Sequence, residues 1–140
     1  MFVLDTDILT LLFAGHPRVL SRRDLVPSAE IAITVVAQIQ SLHGRFQFLL
    51  KAATGEELLR AQVLLDATRR ALARVETVFR IDAGAAAEFD RLRQNKRLKK
   101  VGRGDLLIAA ITLANRATLV SRNLKDSRQV PGLQVENWAD

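Results

Sequence analysis

Between Asp105 and Asn115 the chain reads Leu-Leu-Ile-Ala-Ala-Ile-Thr-Leu-Ala, apolar or small on nearly every side of a helical turn. A surface helix needs one apolar stripe; a helix that is apolar all round has to be covered from several sides. Ahead of it, Gly102-Arg103-Gly104-Asp105 delivers a carboxylate to the first turn, where unpaired N–H groups and the positive end of the helix dipole favour negative charge. An aspartate so placed is readable as an ordinary helix cap or as a ligand. Behind the helix, Ala117 to Val120 is short and apolar, like a strand buried on both faces, and it runs into Ser121-Arg122-Asn123 with Asp126 close behind. In an open parallel sheet, ligands bind outside the carboxyl ends of the strands. This unit sends its polar groups to that edge.

The same order recurs from the start of the chain. Phe2-Val3-Leu4 is an apolar strand that stops at Asp5-Thr6-Asp7, followed by a helix from Ile8 to Phe13 that ends at Gly15. Either Asp5 or Thr6 also reads as a plain N-cap. A second short helix covers Val19 to Val26, and His16 before it reads as a surface residue. Ile31 to Val35 is the second buried strand, and the helix expected from about Val36 carries Gln38, Gln40, Ser41 and His43 before Gly44. After a break at Thr54-Gly55, a helix from Glu56 to about Glu76 sets Leu58, Leu65 and Leu72 seven apart with Ala61, Thr68 and Val75 between them, a core face or an αα-hairpin reaching for a partner. Val78 to Ile81 is a third strand, Asp82 caps the next helix, and Leu133 to Val135 is a last strand after the turn Val130-Pro131-Gly132. Trp138 reads as a packing anchor.

Alternating βα units predict one domain over residues 1–140, a three-layer α/β/α architecture with a mostly parallel sheet of four or five strands. A chain of 140 residues buries enough surface to need no staple, and it has no cysteine to make one. No apolar run approaches the ~18 residues that span a bilayer. The opening Met-Phe-Val-Leu-Asp meets a carboxylate too early for a signal peptide, so a cytoplasmic protein with no membrane partner is expected.

The net charge of +6 and a pI near 10.7 point to an anionic partner. The cations concentrate from Arg91 to Arg103, where Arg93, Lys96, Arg97, Lys99, Lys100 and Arg103 lead directly into the Gly102 loop. An isolated run of this kind is usually a solvated helix end. Here it adjoins Asp5, Asp105 and Asp126, which the βα order brings to one sheet edge. Oxygen ligands without Cys or His suit Mg²⁺ or Mn²⁺, hard ions satisfied by one or two carboxylates plus water and phosphate. Clustered carboxylates repel, so they favour a divalent cation, which orients and polarises a water for attack on a phosphodiester. No P-loop, dinucleotide fingerprint or nucleophile elbow is present.

Leu4-Asp5-Thr6-Asp7-Ile8-Leu9, Thr34-Val35-Val36 with Gly44, Gly104-Asp105-Leu106-Leu107-Ile108-Ala109-Ala110 and Leu119-Val120-Ser121-Arg122-Asn123 followed by Val130-Pro131-Gly132-Leu133 together resemble the PIN-domain family, in particular its VapC-type toxins. The resemblance covers essentially the whole chain in the family's order. It implies a metal-dependent endoribonuclease acting on RNA, a homodimer, inhibited by a cognate antitoxin that inserts a segment into the active-site groove. Carried over by position, Asp5 and Asp105 hold the metal, Thr6 and Ser121 supply supporting hydroxyls, and Asn123, with Asp126 as substitute, fills the fourth acidic or amide place. One departure stands out. The family's glutamate, four residues before Gly44, falls on Gln40, which keeps an oxygen but loses the charge and cannot act as a carboxylate base. An alternative expectation is therefore a catalytically weakened module that binds RNA or antitoxin without efficient cleavage. A third reading keeps the carboxylates as caps in an interaction protein.

Overall fold

The computed structural model describes residues 1–140. Five strands form one sheet: β1 (Phe2–Leu4), β2 (Ile31–Thr34), β3 (Thr77–Phe79), β4 (Thr118–Val120) and β5 (Gln134–Glu136), in the order β3-β2-β1-β4-β5. Every pairing is parallel. Seven helices connect and cover them: α1 (Thr6–Phe13), α2 (Pro17–Asp24), α3 (Val35–Lys51), α4 (Gly55–Ala73), α5 (Ala83–Arg93), α6 (Arg103–Ala114) and α7 (Leu124–Ser127). All four residues of β2 are buried. Since successive side chains point to opposite faces, both faces of the sheet are covered, as the three-layer expectation required.

Local chemistry explains most boundaries. Asp5, Thr34, Thr54, Asp82 and Asn123 accept backbone N–H groups at the starts of α1, α3, α4, α5 and α7. Thr34 is capable of this because it ends β2, so the helix begins one residue earlier than its apolar pattern indicates. His16 is a half-buried cap rather than a plain surface residue; its Nδ1 accepts from Val19 N at 3.4 Å, and α2 starts at Pro17. The third strand starts one residue and ends two residues before the expected span, and the last strand lies one residue beyond it. In α4 the inward face is Ala61, Thr68 and Leu72, while Leu58 turns outward. The basic stretch is not a continuation of α5: the helix stops at Arg93, and a 3-10 turn over Lys96–Leu98 follows. Leu98, fully buried with Leu92 and Val101, pins that turn down so that its lysines and arginines face outward.

The main core gathers Val3, Leu4, Ile8, Leu9, Ile33, Val120 and Trp138 around β1 and its neighbours. Trp138 is 1% exposed, its ring centroid lies 5.4 Å from that of Phe2, and its Nε1 donates to Glu136 at 2.9 Å. A buried indole with a satisfied N–H anchors the C-terminal segment over the sheet. Trp138→Ala should lower stability by about 3–5 kcal/mol, read as a fall in the urea midpoint, and Trp138→Phe should recover part of it.

Candidate active site

The strand order sets the location of the site. The chain leaves β1 toward β2 on one side and returns as β4 on the other, and ligands of open α/β sheets occupy the crevice at such a switch. Leu4 pairs with Val120, so the next residues, Asp5 and Ser121, emerge side by side at the same sheet edge. A backbone bond from Asp5 N to Val120 O, 3.0 Å, extends the ladder to the site itself.

Asp5 has two functions available. Its Oδ1 accepts from Asp7 N at 3.2 Å and Ile8 N at 3.3 Å, which is the cap expected from sequence, and its carboxylate also lines a small cleft. Across that cleft stand Asp105, Ser121, Asn123 and Asp126. Ser121 is 1% exposed, and its Oγ accepts from Asn123 N at 3.0 Å, shaping the turn after β4. Asn123 Nδ2 donates to Asp126 Oδ2 at 2.9 Å, and Asn123 Oδ1 accepts from Asp126 N at 3.4 Å. The amide and the carboxylate are thus bonded to each other at the edge of the cleft. The floor is apolar, with Ile108, Ala109, Leu119 and Leu133.

Gln40 stands apart from this lining. It is exposed on α3, and Thr6 Oγ1 donates to its Oε1. The pair sits beside the site because Thr6 follows Asp5 and because the Gln40 amide lies against Gly104, next to Asp105. Asp7, given no role from sequence, does act on the site: its charge is one cause of the perturbed Asp105 carboxyl. The only signal for it was an acid two residues beyond Asp5. Arg93, Lys96, Arg97, Lys99 and Lys100 are all exposed, and none has a carboxylate partner, whereas Arg91 pairs with Glu88 at 2.6 Å. Arg103 lies over the Phe89 ring at 5.0 Å, a stacked guanidinium at the start of α6.

No three acidic, His or Cys side chains converge on a single point, so there is no closed metal cage. The donor set nonetheless fits an open Mg²⁺ site: Asp5, Asp105 and Asp126 supply hard oxygens, and the cleft, about 20 Å³, has room for one ion or water between them. Asp105 is the acid of the cleft whose charged form burial and its neighbours disfavour. Its carboxyl is held above the ordinary 3.8, first by desolvation, then by Asp126 and then by Asp7.

No protein-family model matches the chain. Over 140 residues it is 24% identical to Ribonuclease VapC1 of Haemophilus influenzae, covering 99% of this chain and 98% of that protein. A shorter stretch of 38 residues, 27% of this chain and 28% of the relative, is 47% identical to Ribonuclease VapC2 of Rickettsia felis. Among solved structures, VapBC2 from Rickettsia felis bound to a promoter DNA fragment superimposes with a TM-score of 0.77 at 27% identity over 98% of both chains. The chain shares the fold of that complex's matched chain. DNA-bound VapBC from Salmonella typhimurium also gives a TM-score of 0.77, at 21% identity over 98% of this chain and 97% of that one. In this fold the cleft lined by Asp5, Asp105 and Asp126 lies at the switch point between β1 and β4.

The raised Asp105 carboxyl has a consequence for stability. A folded-state value above the unfolded one costs stability once the pH is high enough to charge the group, and costs nothing below the unfolded value, where both states are protonated. In EDTA, Asp105→Asn should therefore raise the melting temperature at pH 7, and the gain should fade as the pH is brought below 3.8. A gain of equal size at both pH values would assign it to packing instead.

Proposed function

We propose that this protein is the toxin of a type II toxin–antitoxin pair, a Mg²⁺-dependent endoribonuclease that cleaves RNA phosphodiesters in the cytoplasm. The observation that carries this reading is that Asp5, Asp105 and Asp126, from separate segments, line one small cleft at the sheet edge, with a run of cations that have no carboxylate partner leading into it. Relatives named as VapC ribonucleases, and structural neighbours solved as VapBC complexes, support it. No helix is long and apolar enough to cross a membrane.

Asp5 and Asp105 would hold the ion, and Asp126, oriented by Asn123, would add a further carboxylate to the same cleft. The bound ion supplies charge to polarise a water and the scissile phosphate. Ser121 and the capping bonds of Asp5 keep the carboxylates in place, so little reorganisation is needed when substrate arrives. Arg93, Lys96, Arg97, Lys99, Lys100 and Arg103 hold the RNA backbone by charge alone, which confers affinity and no base preference.

The antitoxin and a second copy of the chain have separate faces to occupy. A groove of about 390 Å³ between α1 and α4 is lined by Leu9, Leu12, Phe13 and Leu64, with Arg45 bonded only to the Thr68 hydroxyl at 2.9 Å. An apolar antitoxin helix bearing a carboxylate suits it, and an antitoxin arginine, able to pair with two carboxylates at once, suits the acidic cleft. On α3, Ile39, Phe46 and Leu50 are all more than half exposed and share one face, an apolar stripe for the homodimer.

Purified protein incubated with structured RNA should cut it with Mg²⁺ or Mn²⁺ and not in EDTA. Asp105→Asn should slow cleavage on the order of a hundredfold while the protein stays folded, as for loss of one preorganised electrostatic group. Metal-independent cleavage, or full activity in that variant, would sink the assignment. Retained RNA binding without any cleavage would favour the weakened module in which Gln40 replaces the family glutamate.

Neutralising Arg93, Lys96 and Lys99 should weaken RNA binding across all sequences. Each lost phosphate contact should reduce the slope of log affinity against log salt by roughly 0.7 to 0.9. An unchanged slope would remove this run from the RNA path.

A further inference from the structure

Gln40 is wedged between two elements of the site. Its Oε1 accepts the Thr6 hydroxyl, and its Nε2 rests where a side chain on Gly104 would begin: a Cβ built there would come within 2.5 Å of that nitrogen. The backbone of Gly104 has an ordinary negative φ, so its lack of a side chain serves space and not conformation. Gln40 and Gly104 are a matched pair.

A primary amide has an acceptor end and a donor end, and the two have opposite uses beside an ion site. A carboxylate at position 40 would offer a second oxygen to a cation. In Gln40 the oxygen is engaged by Thr6, and the end directed at the first turn of α6, beside Asp105, is NH₂. Such a group cannot ligate a metal. The field of Asp5, Asp7, Asp105 and Asp126 favours this orientation, because the NH₂ is the positive pole of the amide dipole.

We propose that Gln40 serves this site as a hydrogen-bond donor to a phosphate oxygen of the bound RNA and not as an ion ligand, with Thr6 and Gly104 as positioning residues that hold its amide in that orientation. The proposal rests on the nuclease reading above. Two quantities separate as a result: the affinity for metal belongs to the aspartates, and position 40 contributes to affinity for the substrate anion.

Two measurements test this on the intact protein: Mn²⁺ binding by calorimetry, and binding of a short single-stranded RNA in EDTA by fluorescence anisotropy. Gln40→Ala should leave the Mn²⁺ Kd within about twofold and weaken RNA about tenfold, which corresponds to ~1.4 kcal/mol. Gln40→Glu, which removes the donor and adds charge, should weaken RNA at least as much. Gly104→Ala should also weaken RNA, yet add nothing in the Gln40→Ala background, because it acts through the amide. Circular dichroism and urea unfolding establish that each variant is folded; if Gly104→Ala is not, Thr6→Val takes its place in the cycle.

A tenfold loss of Mn²⁺ affinity in Gln40→Ala, unchanged RNA binding in that variant, or additive effects in the double variant would each overturn the proposal. Failure of the unaltered protein to bind RNA would overturn the nuclease reading as well. Normal RNA binding and cleavage, with Gln40→Ala indistinguishable from the parent, would overturn the Gln40 proposal alone.

Discussion

The parallel pairing of β1 with β4 is the contact on which the site depends. Residues more than a hundred positions apart are brought into register there, Leu4 against Val120, and the bond from Asp5 N to Val120 O carries that register to the end of the ladder. A shift of one residue would move every side chain of the strand to the other face and take Asp5 out of line with Ser121, since side chains alternate between faces. Burial of Val3, Leu4, Leu119 and Val120 holds the register, because a slip would break the close packing that each makes.

Around that fixed edge, polar side chains are used twice. Asp5 caps α1 while facing the cleft, Asn123 caps α7 while binding Asp126, and Thr34 ends a strand while starting a helix. A short carboxylate, amide or hydroxyl is favoured at a helix start for local reasons, and the switch point of the sheet gathers several helix starts in one place. Stability and chemistry therefore call for the same residue types at the same positions. The conflict between them appears at Asp105, where no side chain caps α6 and the carboxylate meets Asp126 and Asp7. With Asp105 charged, that arrangement costs stability.

Charge separates along the molecule in a similar way. Acids line the cleft, and unpaired cations flank it on the turn after α5. Leu98 holds that turn against the body of the protein, so the cations keep a defined position relative to the acids without ion pairs of their own. Paired with internal carboxylates, as Arg91 is with Glu88, they would be partly neutralised.

By itself the sequence determined the kind of fold and the identity of the acids. The apolar runs of β1, β2 and β4, the all-round apolar α6 and the polar residues that follow β1 and β4 are local patterns, legible because burial on both faces and helix capping leave direct marks on residue type. Tertiary structure alone decided the relations between them. The order of the five strands, the turn that interrupts the basic run, the influence of Asp7 on Asp105 and the packing of Gln40 against Gly104 depend on segments meeting across the sheet edge. Each residue's own neighbours in the chain carry no record of that meeting, because the pairing is made through space, where the free energy of a contact depends on what arrives and not on what is adjacent in sequence.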